Sequence, residues 1–304
     1  MKIAVIGMGS MGPGMAARLA RGGHEVRAFD LAPAAMERAE AMQPMIAQAL
    51  EGLGIADEGG PMHFAAGLAE AVEGADLVIE NVPEKVEVKA ALYADLAPLM
   101  GPETVLATDT SGIPITTLQA HVAEPARFVG MHWSNPPHIV PMIEVIGGER
   151  TAPETVAFIR DLIRSLDLLP VVLKRDVPGF VENRVLYALL RECVDLVESG
   201  VIEAEDLDTC VNWGIGFKLS TIGPMRLLDM AGLDIYHSVA SFLNKELCAR
   251  KDVSSMVAEK TDKGQLGMKT GQGLFAYSEE ELTSLPAQRG ATLVALRKVL
   301  EGRG

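Results

Sequence analysis

Two residues twelve positions apart, His132 and Glu144, have the side chains needed to hold and move a proton. His132 follows the apolar run Arg127 to Met131, and Glu144 lies inside a second apolar run, Met142 to Ile146. A Pro-rich loop between the runs can bring the two side chains together, so that the carboxylate holds one imidazole nitrogen and leaves the other free for proton transfer. The alternative is a hydrogen-bonded core histidine and an exposed strand glutamate. This stretch alone does not decide between them.

The first thirty residues carry the pattern of a dinucleotide-binding turn. Positions 7 to 12 read G-M-G-S-M-G, directly after a predicted strand, Lys2 to Ile6, and directly before a predicted helix, Pro13 to Arg21. A second predicted strand, Glu25 to Phe29, ends at the acid Asp30. Strand, G-x-G-x-x-G, helix, strand and acid in this order form the context that the dinucleotide fingerprint requires, which makes a plain turn the weaker interpretation.

Each residue of this turn has a physical reason to be there. Gly7 permits the tight turn, Gly9 lets the backbone approach a pyrophosphate, and Gly12 lets helix and strand pack closely. The exposed amides at the helix start can hold the phosphates. Asp30 can accept hydrogen bonds from the ribose hydroxyls and would repel a 2′-phosphate, and no Arg follows it closely. NAD is therefore the expected cofactor, in preference to NADP.

The pattern beyond this turn predicts the α/β class. Strands and helices alternate up to the break at residues 174–179, which indicates a Rossmann-type, mostly parallel sheet, and the rest of the chain reads as helical. We expect residues 1–176 to form an NAD-binding Rossmann domain and residues 177–304 an all-helical C-terminal domain for substrate binding and dimerisation. Ligands of such sheets lie beyond the carboxyl ends of the strands. Ser111 and His132 both follow predicted strands, which favours the catalytic interpretation of His132.

Composition excludes several function classes. The chain has 304 residues, of which 48% are hydrophobic, and a formal net charge of −14. Nucleic acids and anionic membrane surfaces need clustered Lys and Arg, so neither is the expected partner. No signal peptide and no run of about 18 apolar residues is found, and the expected location is the cytoplasm.

The cysteines and histidines do not indicate a metal or thiol site. The three cysteines, Cys193, Cys210 and Cys248, are widely spaced and odd in number, which argues against disulfides and against zinc. His132 and His138 could be metal ligands, but no further His or Cys is suitably spaced. We expect no metal. Cys193 lies on an apolar helical stripe and is predicted to be a core residue rather than a nucleophile.

The chain resembles the 3-hydroxyacyl-CoA dehydrogenase family over almost its whole length. Many spaced motifs in one order make this resemblance specific. The matching pieces are the Gly7 to Gly12 fingerprint, Glu84 with Lys89, Thr110-Ser111, His132-x-x-Asn135-Pro136, Glu144, Asp176-Val-Pro-Gly-Phe180 with Asn183-Arg184, Gly223-Pro224, Asp229-x-x-Gly232-Leu233-Asp234, and Lys269-Thr-Gly271-x-Gly273.

The resemblance implies roles for these residues. His132 would be the general base in oxidation, Glu144 would orient it, and Ser111 and Asn183 would bind the reacting oxygen. A helix cap is the alternative for Asn183, and a solvated helix face is the alternative for Lys89. The residues expected to contact the cofactor are Gly7, Gly9, Met11, Gly12, Asp30, Glu84, Lys89, Ser111, Asn135 and Lys269.

Departures from the family pattern concern the substrate. The acyl-CoA enzymes carry a long Lys-rich helical hairpin after the ribose-binding acid. Here the segment from Leu31 to Leu77 has Arg38 as its only Lys or Arg among eight acids, and this surface would repel a CoA phosphate. The family's paired serines become Ser111-Gly112, and its two aromatic residues after the histidine become Trp133-Ser134.

This version of the motifs resembles a branch of the family that acts in vitamin B6 breakdown. The branch oxidises a small pyridine aldehyde to the carboxylate with NAD, either as the hydrate or after attack by water that His132 deprotonates. We therefore expect a small, flat, anionic substrate near Trp133, with Arg184, Lys218 and Arg226 as candidate partners for its carboxylate. Oxidation of an L-3-hydroxyacyl-CoA or another small hydroxy acid is the alternative. A non-catalytic NAD-binding or structural protein is a third possibility, which the full set of catalytic residues disfavours.

Overall fold

A computed structural model describes residues 1–302 of the chain. The chain divides into two compact units: Met1–Arg184 with Leu293–Arg297, and Val185–Thr292 with the chain end from Lys298. This division follows compactness. The expected functional domains, 1–176 and 177–304, stay a prediction.

The first unit is built on one eight-stranded sheet. The strands are β1 Lys2–Ile6, β2 Glu25–Phe29, β3 Met62–Phe64, β4 Leu77–Glu80, β5 Val105–Thr108, β6 Phe128–Trp133, β7 Met142–Ile146 and β8 Leu169–Val172. Their order in the sheet is β3-β2-β1-β4-β5-β6-β7-β8. All neighbours are parallel except β6 and β7, which are antiparallel. The predicted Rossmann-type, mostly parallel sheet is confirmed.

Helices cover both faces of this sheet, and the apolar strand runs follow from that. Strands β4 and β5 are buried at every position, because a sheet covered on both sides has no polar face. Two hydrophobic clusters result. One includes Met15 and Ile159, and the other includes Tyr93 and Phe128. The helices are α1 Gly12–Arg21, α2 Pro33–Gly52, α3 Leu68–Val72, α4 Val86–Leu96, α5 Ile115–Leu118 and α6 Pro153–Ser165.

One strand differs from its sequence prediction in a way that matters for the site. The apolar pattern predicts a strand from Ala75 to Ile79 followed by a loop from Glu80, but β4 runs from Leu77 to Glu80. Glu80 is fully buried because four donors satisfy its carboxylate, and that compensation cannot be read from hydropathy.

The second unit is helical, as predicted. A π-helical turn, Cys210–Gly216, lies between its second and third helices. The helix predicted from Ile235 to Ala249 runs from Leu233 to Leu243. The helices are α7 Glu182–Glu198, α8 Ala204–Thr209, α9 Phe217–Leu219, α10 Pro224–Ala231, α11 Leu233–Leu243, α12 Ser255–Asp262 and α13 Glu279–Leu300, of which α7 begins and α13 partly lies in the first unit.

The helical unit has no buried apolar side chain in residues 185–292. Cys193, predicted to be core, is only partly buried there. The prediction failed because the apolar stripe of α7 has no covering layer among residues 1–302. In residues 1–302, no helix combines the length and apolar character that a membrane crossing requires.

Candidate active site

His132, near the end of β6, and Glu144, in the middle of β7, form a buried pair on two adjacent strands. They face each other in the antiparallel register of β6 and β7. The His132 Nδ1 atom lies 2.8 Å from Glu144 Oε2. His132 is 6% exposed and Glu144 is 1% exposed. The alternative of an exposed strand glutamate is therefore wrong, because the strand pairing and the following loop enclose the carboxylate.

The second carboxylate oxygen of Glu144 holds the start of α7. Its Oε1 accepts the main-chain N–H groups of Val181, at 2.9 Å, and Glu182, at 3.1 Å. The chain reaches this position through Gly179 and Phe180, which both have positive φ angles of 73° and 51°. The Phe180 ring lies 5.6 Å from the His132 ring, centroid to centroid. Glu144 thus fixes both the imidazole and the turn beside it.

The charges around this pair favour a protonated imidazole and an ionised glutamate. Burial lowers the pKa of His132, but its hydrogen bond to Glu144 and the negative charges of Asp109, Glu144 and Glu182 outweigh this effect, and the pKa is raised. Burial raises the pKa of Glu144, and the hydrogen bonds from His132, Val181 and Glu182 reverse this to a lowered pKa. No residue of the described chain is bonded to His132 Nε2. That nitrogen is left to exchange protons.

Glu182, which the sequence motifs did not indicate, brings a second carboxylate to the pair. Its Oε1 accepts a hydrogen bond from Ser134 Oγ at 2.6 Å, and its Oε2 is buried with no hydrogen-bond partner among residues 1–302. Potential metal-ligand atoms of His132, Glu144 and Glu182 lie within 4.8 Å of one another. Both oxygens of Glu144 are already engaged by N–H groups. The expectation of no metal stays a prediction.

Asp109, at the end of β5, is a second acid that the sequence analysis did not single out. Its Oδ1 accepts the Trp133 N–H at 2.8 Å. Burial raises the pKa of Asp109 to about 7, although the Trp133 N–H and the charge of His132 oppose the shift.

A substrate was expected near Trp133, but direct contact with the Trp133 ring is contradicted by the structure. The Trp133 ring is 1% exposed and packs in the hydrophobic cluster, because alternate residues of β6 point to opposite faces of the sheet.

Ser111 and Asn183 lie together at the same edge of the sheet. The Asn183 side-chain nitrogen donates to the main-chain oxygen of Ser111 at 2.7 Å. Asn183 lies inside the first turn of α7 rather than before it. This bond uses an amide donor, whereas a helix cap uses a side-chain acceptor. The hydroxyl of Ser111 lies in an exposed residue and is available to a ligand.

The glycine turn has the shape that a dinucleotide phosphate needs. Gly7 has a φ of 105°, and a side chain there would collide with the main-chain oxygen of Asn81. A side chain on Gly12 would collide with the oxygen of Gly7, whereas Gly9 faces open space with no atom within 4 Å of a built Cβ. An approaching pyrophosphate fits that space. Met11, between them, is partly buried.

Asp30 closes this turn at the end of β2. Its Oδ2 accepts the Met8 N–H at 2.7 Å, and its Oδ1 accepts the Ala32 N–H at 2.8 Å. A carboxylate oxygen can accept more than one bond, so both remain able to bind ribose hydroxyls. The open backbone at Gly9 and the acid at Asp30 fit an NAD nucleotide.

Lys89 and Glu84 belong to a network beside this turn. Lys89 Nζ lies 2.7 Å from Glu80 Oε1 and 3.5 Å from Glu84 Oε2. Lys89 is 1% exposed, so the alternative of a solvated helix face is wrong, because the buried Glu80 requires a counter-charge. Glu84 Oε1 accepts bonds from Thr110 Oγ1 and from the N–H groups of Ser111 and Gly112. Burial raises the pKa of Glu84, but these bonds and Lys89 lower it overall.

The remaining predicted residues lie on the loop after β6, in the first turn of α7 or in the second unit. Asn135 is exposed on the loop after β6, before a cis bond to Pro136. Arg184 is exposed and donates to the oxygen of Pro178 at 3.3 Å. The second unit contains Lys218, Arg226 and Lys269, all exposed.

Comparisons with known proteins agree with this arrangement. Residues 2–177 match the NAD-binding domain of 3-hydroxyacyl-CoA dehydrogenase, and residues 179–277 match its C-terminal domain. The chain is 63% identical to a 5-formyl-3-hydroxy-2-methylpyridine 4-carboxylate 5-dehydrogenase of Mesorhizobium japonicum, over 99% of this chain and 98% of that protein. It is 32% identical to a probable 3-hydroxybutyryl-CoA dehydrogenase of Deinococcus radiodurans, over 91% of this chain and 100% of that protein.

Solved structures extend the likeness to three dimensions. A crystal structure of a 5-formyl-3-hydroxy-2-methylpyridine 4-carboxylic acid 5-dehydrogenase, described as an NAD⁺-dependent dismutase, is 63% identical with a TM-score of 0.98. It covers 100% of this chain and 99% of the other. Two matched domains and a buried His–Glu pair at the sheet edge lead to one conclusion. The chain belongs to the 3-hydroxyacyl-CoA dehydrogenase family and is an NAD-dependent oxidoreductase.

Proposed function

We propose that this protein oxidises 5-formyl-3-hydroxy-2-methylpyridine-4-carboxylate to the dicarboxylate with NAD, as a step of vitamin B6 degradation. The buried His132–Glu144 pair, with Nε2 of the imidazole left free, carries the proposal. It supplies a base held in one orientation at the carboxyl end of the sheet. The 63% identity to a dehydrogenase of this substrate over the whole chain supports the choice of substrate.

The aldehyde reacts as its hydrate, and His132 Nε2 takes the proton of one hydroxyl. Glu144 orients the ring and stabilises the imidazolium that forms. The Ser111 hydroxyl and the Asn183 amide bind the reacting oxygen, where polar groups stabilise developing charge. No thiol takes part, since Cys193 lies in the helical unit and has a pKa raised by burial and by neighbouring acids.

NAD supplies the hydride acceptor when it is bound. Gly7, Gly9 and Gly12 shape the phosphate-binding turn, and Asp30 binds the ribose. Lys89 acts by holding Glu80 and Glu84 in place, given its burial. The complete set proposed to form the cofactor site is Gly7, Gly9, Met11, Gly12, Asp30, Glu84, Lys89, Ser111, Asn135 and Lys269.

The alternative substrate, an L-3-hydroxyacyl-CoA or another small hydroxy acid, would use the same residues. Family membership and the Deinococcus relative favour it. The segment after β2 opposes it. That segment contains helix α2, strand β3 and the short helix α3 rather than a basic hairpin, and its only Lys or Arg before Leu77 is Arg38. A CoA nucleotide finds no cluster of cations there.

The protein is proposed to work as a homodimer in the cytoplasm, with its helical unit forming the interface. Large apolar residues are exposed on successive helices of that unit, among them Tyr187 on α7, Phe217 on α9, Met230 on α10 and Phe242 on α11. Exposed apolar area of this kind indicates a surface that another chain covers. The net charge of −14 opposes nucleic acid and anionic membranes as partners.

A steady-state comparison tests the substrate. The pyridine aldehyde with NAD and acetoacetyl-CoA with NADH are assayed on the same preparation. We expect turnover of the aldehyde and little turnover of the CoA ester, and the reverse result would establish the alternative.

His132→Ala tests the mechanism, with His121→Ala as the control because His121 is exposed. Loss of the base should lower kcat by about 10²- to 10⁴-fold while NAD binding, followed by fluorescence titration, is retained. Full activity in His132→Ala would refute its role as base.

A further inference from the structure

Ser134 and Glu182 form a polar pair directly beside His132. Ser134 follows β6 two positions after His132, and Glu182 opens α7. Their side chains meet at 2.6 Å, and the Glu182 N–H also binds Glu144. Ser134 and Glu144 therefore fix Glu182 from two sides.

The free oxygen of Glu182 is the unusual feature. Oε2 is buried and has no hydrogen-bond partner within residues 1–302, although Oε1 is well bonded. A buried carboxylate oxygen without a donor is costly, and native proteins tolerate it where a ligand supplies the missing bond. One carboxylate oxygen of Glu182 and one ring nitrogen of His132 lie within 4.8 Å of each other. One small polar group could contact both side chains.

The proposed substrate differs from a hydroxy acid in one relevant respect. An alcohol carries a single hydroxyl on the reacting carbon, which the base takes. The hydrate of an aldehyde carries two hydroxyls on that carbon. A site that oxidises the hydrate therefore has a second hydroxyl to bind, and that hydroxyl is a hydrogen-bond donor that a carboxylate oxygen accepts.

We infer that Glu182 is a further catalytic residue that accepts a hydrogen bond from the second hydroxyl of the aldehyde hydrate, with Ser134 positioning it. The inference rests on the proposed function, because the alternative hydroxy-acid substrate has no second hydroxyl on its reacting carbon. It makes Glu182 and Ser134 determinants of aldehyde oxidation, as distinct from alcohol oxidation.

Oxidation of the hydrate to the carboxylate breaks one C–H bond and both O–H bonds. The C–H bond breaks, and its electron pair leaves as hydride to NAD⁺. The first hydroxyl gives its proton to His132 Nε2, and its oxygen forms the new C=O bond. The second hydroxyl becomes the acid hydroxyl of the product and gives its proton to Glu182, which passes it to solvent. The product leaves as a carboxylate, with two protons released and NAD⁺ reduced.

Two reactions of the same aldehyde separate this role from a structural one. Oxidation of the hydrate by NAD uses both hydroxyls, whereas reduction of the free aldehyde by NADH gives an alcohol with one hydroxyl. Glu182→Gln should lower kcat/KM for oxidation by about 10- to 100-fold, the effect of losing a hydrogen bond to a charged acceptor, and should change reduction far less. Ser134→Ala should show the same selectivity with a smaller loss, about 3- to 10-fold.

A binding measurement gives a readout that does not depend on turnover. Carbon-13 NMR of the aldehyde labelled at the formyl carbon, with enzyme and without NAD, reports the ratio of hydrate to free aldehyde in the bound state. The wild-type protein should favour the hydrate, and Glu182→Gln should shift the bound ligand toward the free aldehyde.

The control is Glu149→Gln, which neutralises an exposed carboxylate on the loop after β7. It should leave both reactions and the NMR ratio unchanged. Equal loss of oxidation and reduction in Glu182→Gln, or no loss in either with an unchanged NMR ratio, would overturn the inference. Absence of aldehyde oxidation in the wild-type protein would instead remove the proposed function itself.

Discussion

The two compact units of this chain differ in where they place their apolar side chains. Within residues 1–302, every buried hydrophobic residue lies between Ile3 and Phe180. Residues 185–292 contain none, and their helices leave Trp213 72% exposed and Phe217 61% exposed. The first unit can be stable through its own core, whereas the helical unit cannot bury enough apolar area alone. The buried pair of His132 and Glu144 therefore lies in the unit that has a hydrophobic core of its own.

The two units also differ in how deeply they bury charged groups. The sheet unit buries Glu80, Lys89, Asp109, His132 and Glu144. The second unit keeps its ion pairs more accessible, for example Lys263 with Glu259 at 3.6 Å, where both side chains are mostly exposed. Buried charges are expensive unless they are paired, so their presence marks the region where the fold carries out chemistry.

Breaking one ion pair in each unit should give the largest contrast. Lys89→Met leaves the Glu80 carboxylate buried without its counter-charge and should lower the free energy of unfolding by about 3–5 kcal/mol. Lys263→Met removes an exposed pair and should cost about 0–1 kcal/mol. Urea unfolding followed by circular dichroism measures both. Similar losses in the two variants would contradict the contrast between a buried and a solvated network.

A charged residue introduced on the exposed apolar helices of the second unit should disrupt an interface formed there. Phe217→Asp should weaken self-association, with a loss of about 1.5–3 kcal/mol if the ring is buried by a second copy. Met45→Asp, on the exposed side of α2 in the first unit, is the matched control and should leave the assembly intact. Sedimentation velocity over a range of concentrations measures the effect. A monomeric wild-type protein would contradict the proposed dimer.

The third contrast concerns the dependence of stability on pH in the sheet unit. The pKa of Asp109 is raised from 3.8 to about 7 in the folded protein, so the folded state binds this proton more tightly than the unfolded chain. Its contribution to stability is present below pH 4 and is lost as pH rises to about 7. Asp109→Asn keeps an acceptor for the Trp133 N–H and should flatten the stability curve in this window. Asp252→Asn, an exposed acid of the second unit, should not. Thermal unfolding at several pH values tests both.

His132 adds a second, separate change with pH. Its pKa is raised in the folded state, so its contribution is present below about pH 6.5 and fades as pH rises through the folded pKa. The slope that remains in Asp109→Asn above pH 6.5 reports this histidine. No remaining slope there would argue against the raised pKa.

The amino-acid sequence by itself determined the strands, the phosphate turn and the pairing of His132 with Glu144. Apolar runs predicted the strands because a sheet covered on both faces needs apolar residues on both. The glycines at 7, 9 and 12 predicted the phosphate turn because a side chain at Gly7 or Gly12 would collide with the backbone, and Gly9 leaves open space for a phosphate. His132 and Glu144 could be paired by sequence because a short loop between two successive strands allows an antiparallel hairpin register, which the structure has.

Only the tertiary structure decided which side chains surround these strands, the turn and the pair. Burial of Lys89 depends on Glu80, nine residues earlier, and on the helix packing that closes over both. Glu182 meets Ser134 across 48 residues of chain, and Asp109 meets the Trp133 N–H across 24. Trp133 turned out to be core because the alternation of β6 places it opposite His132. Such contacts join distant segments, and no local spacing or propensity encodes them, since the fold alone brings their donors and acceptors within reach.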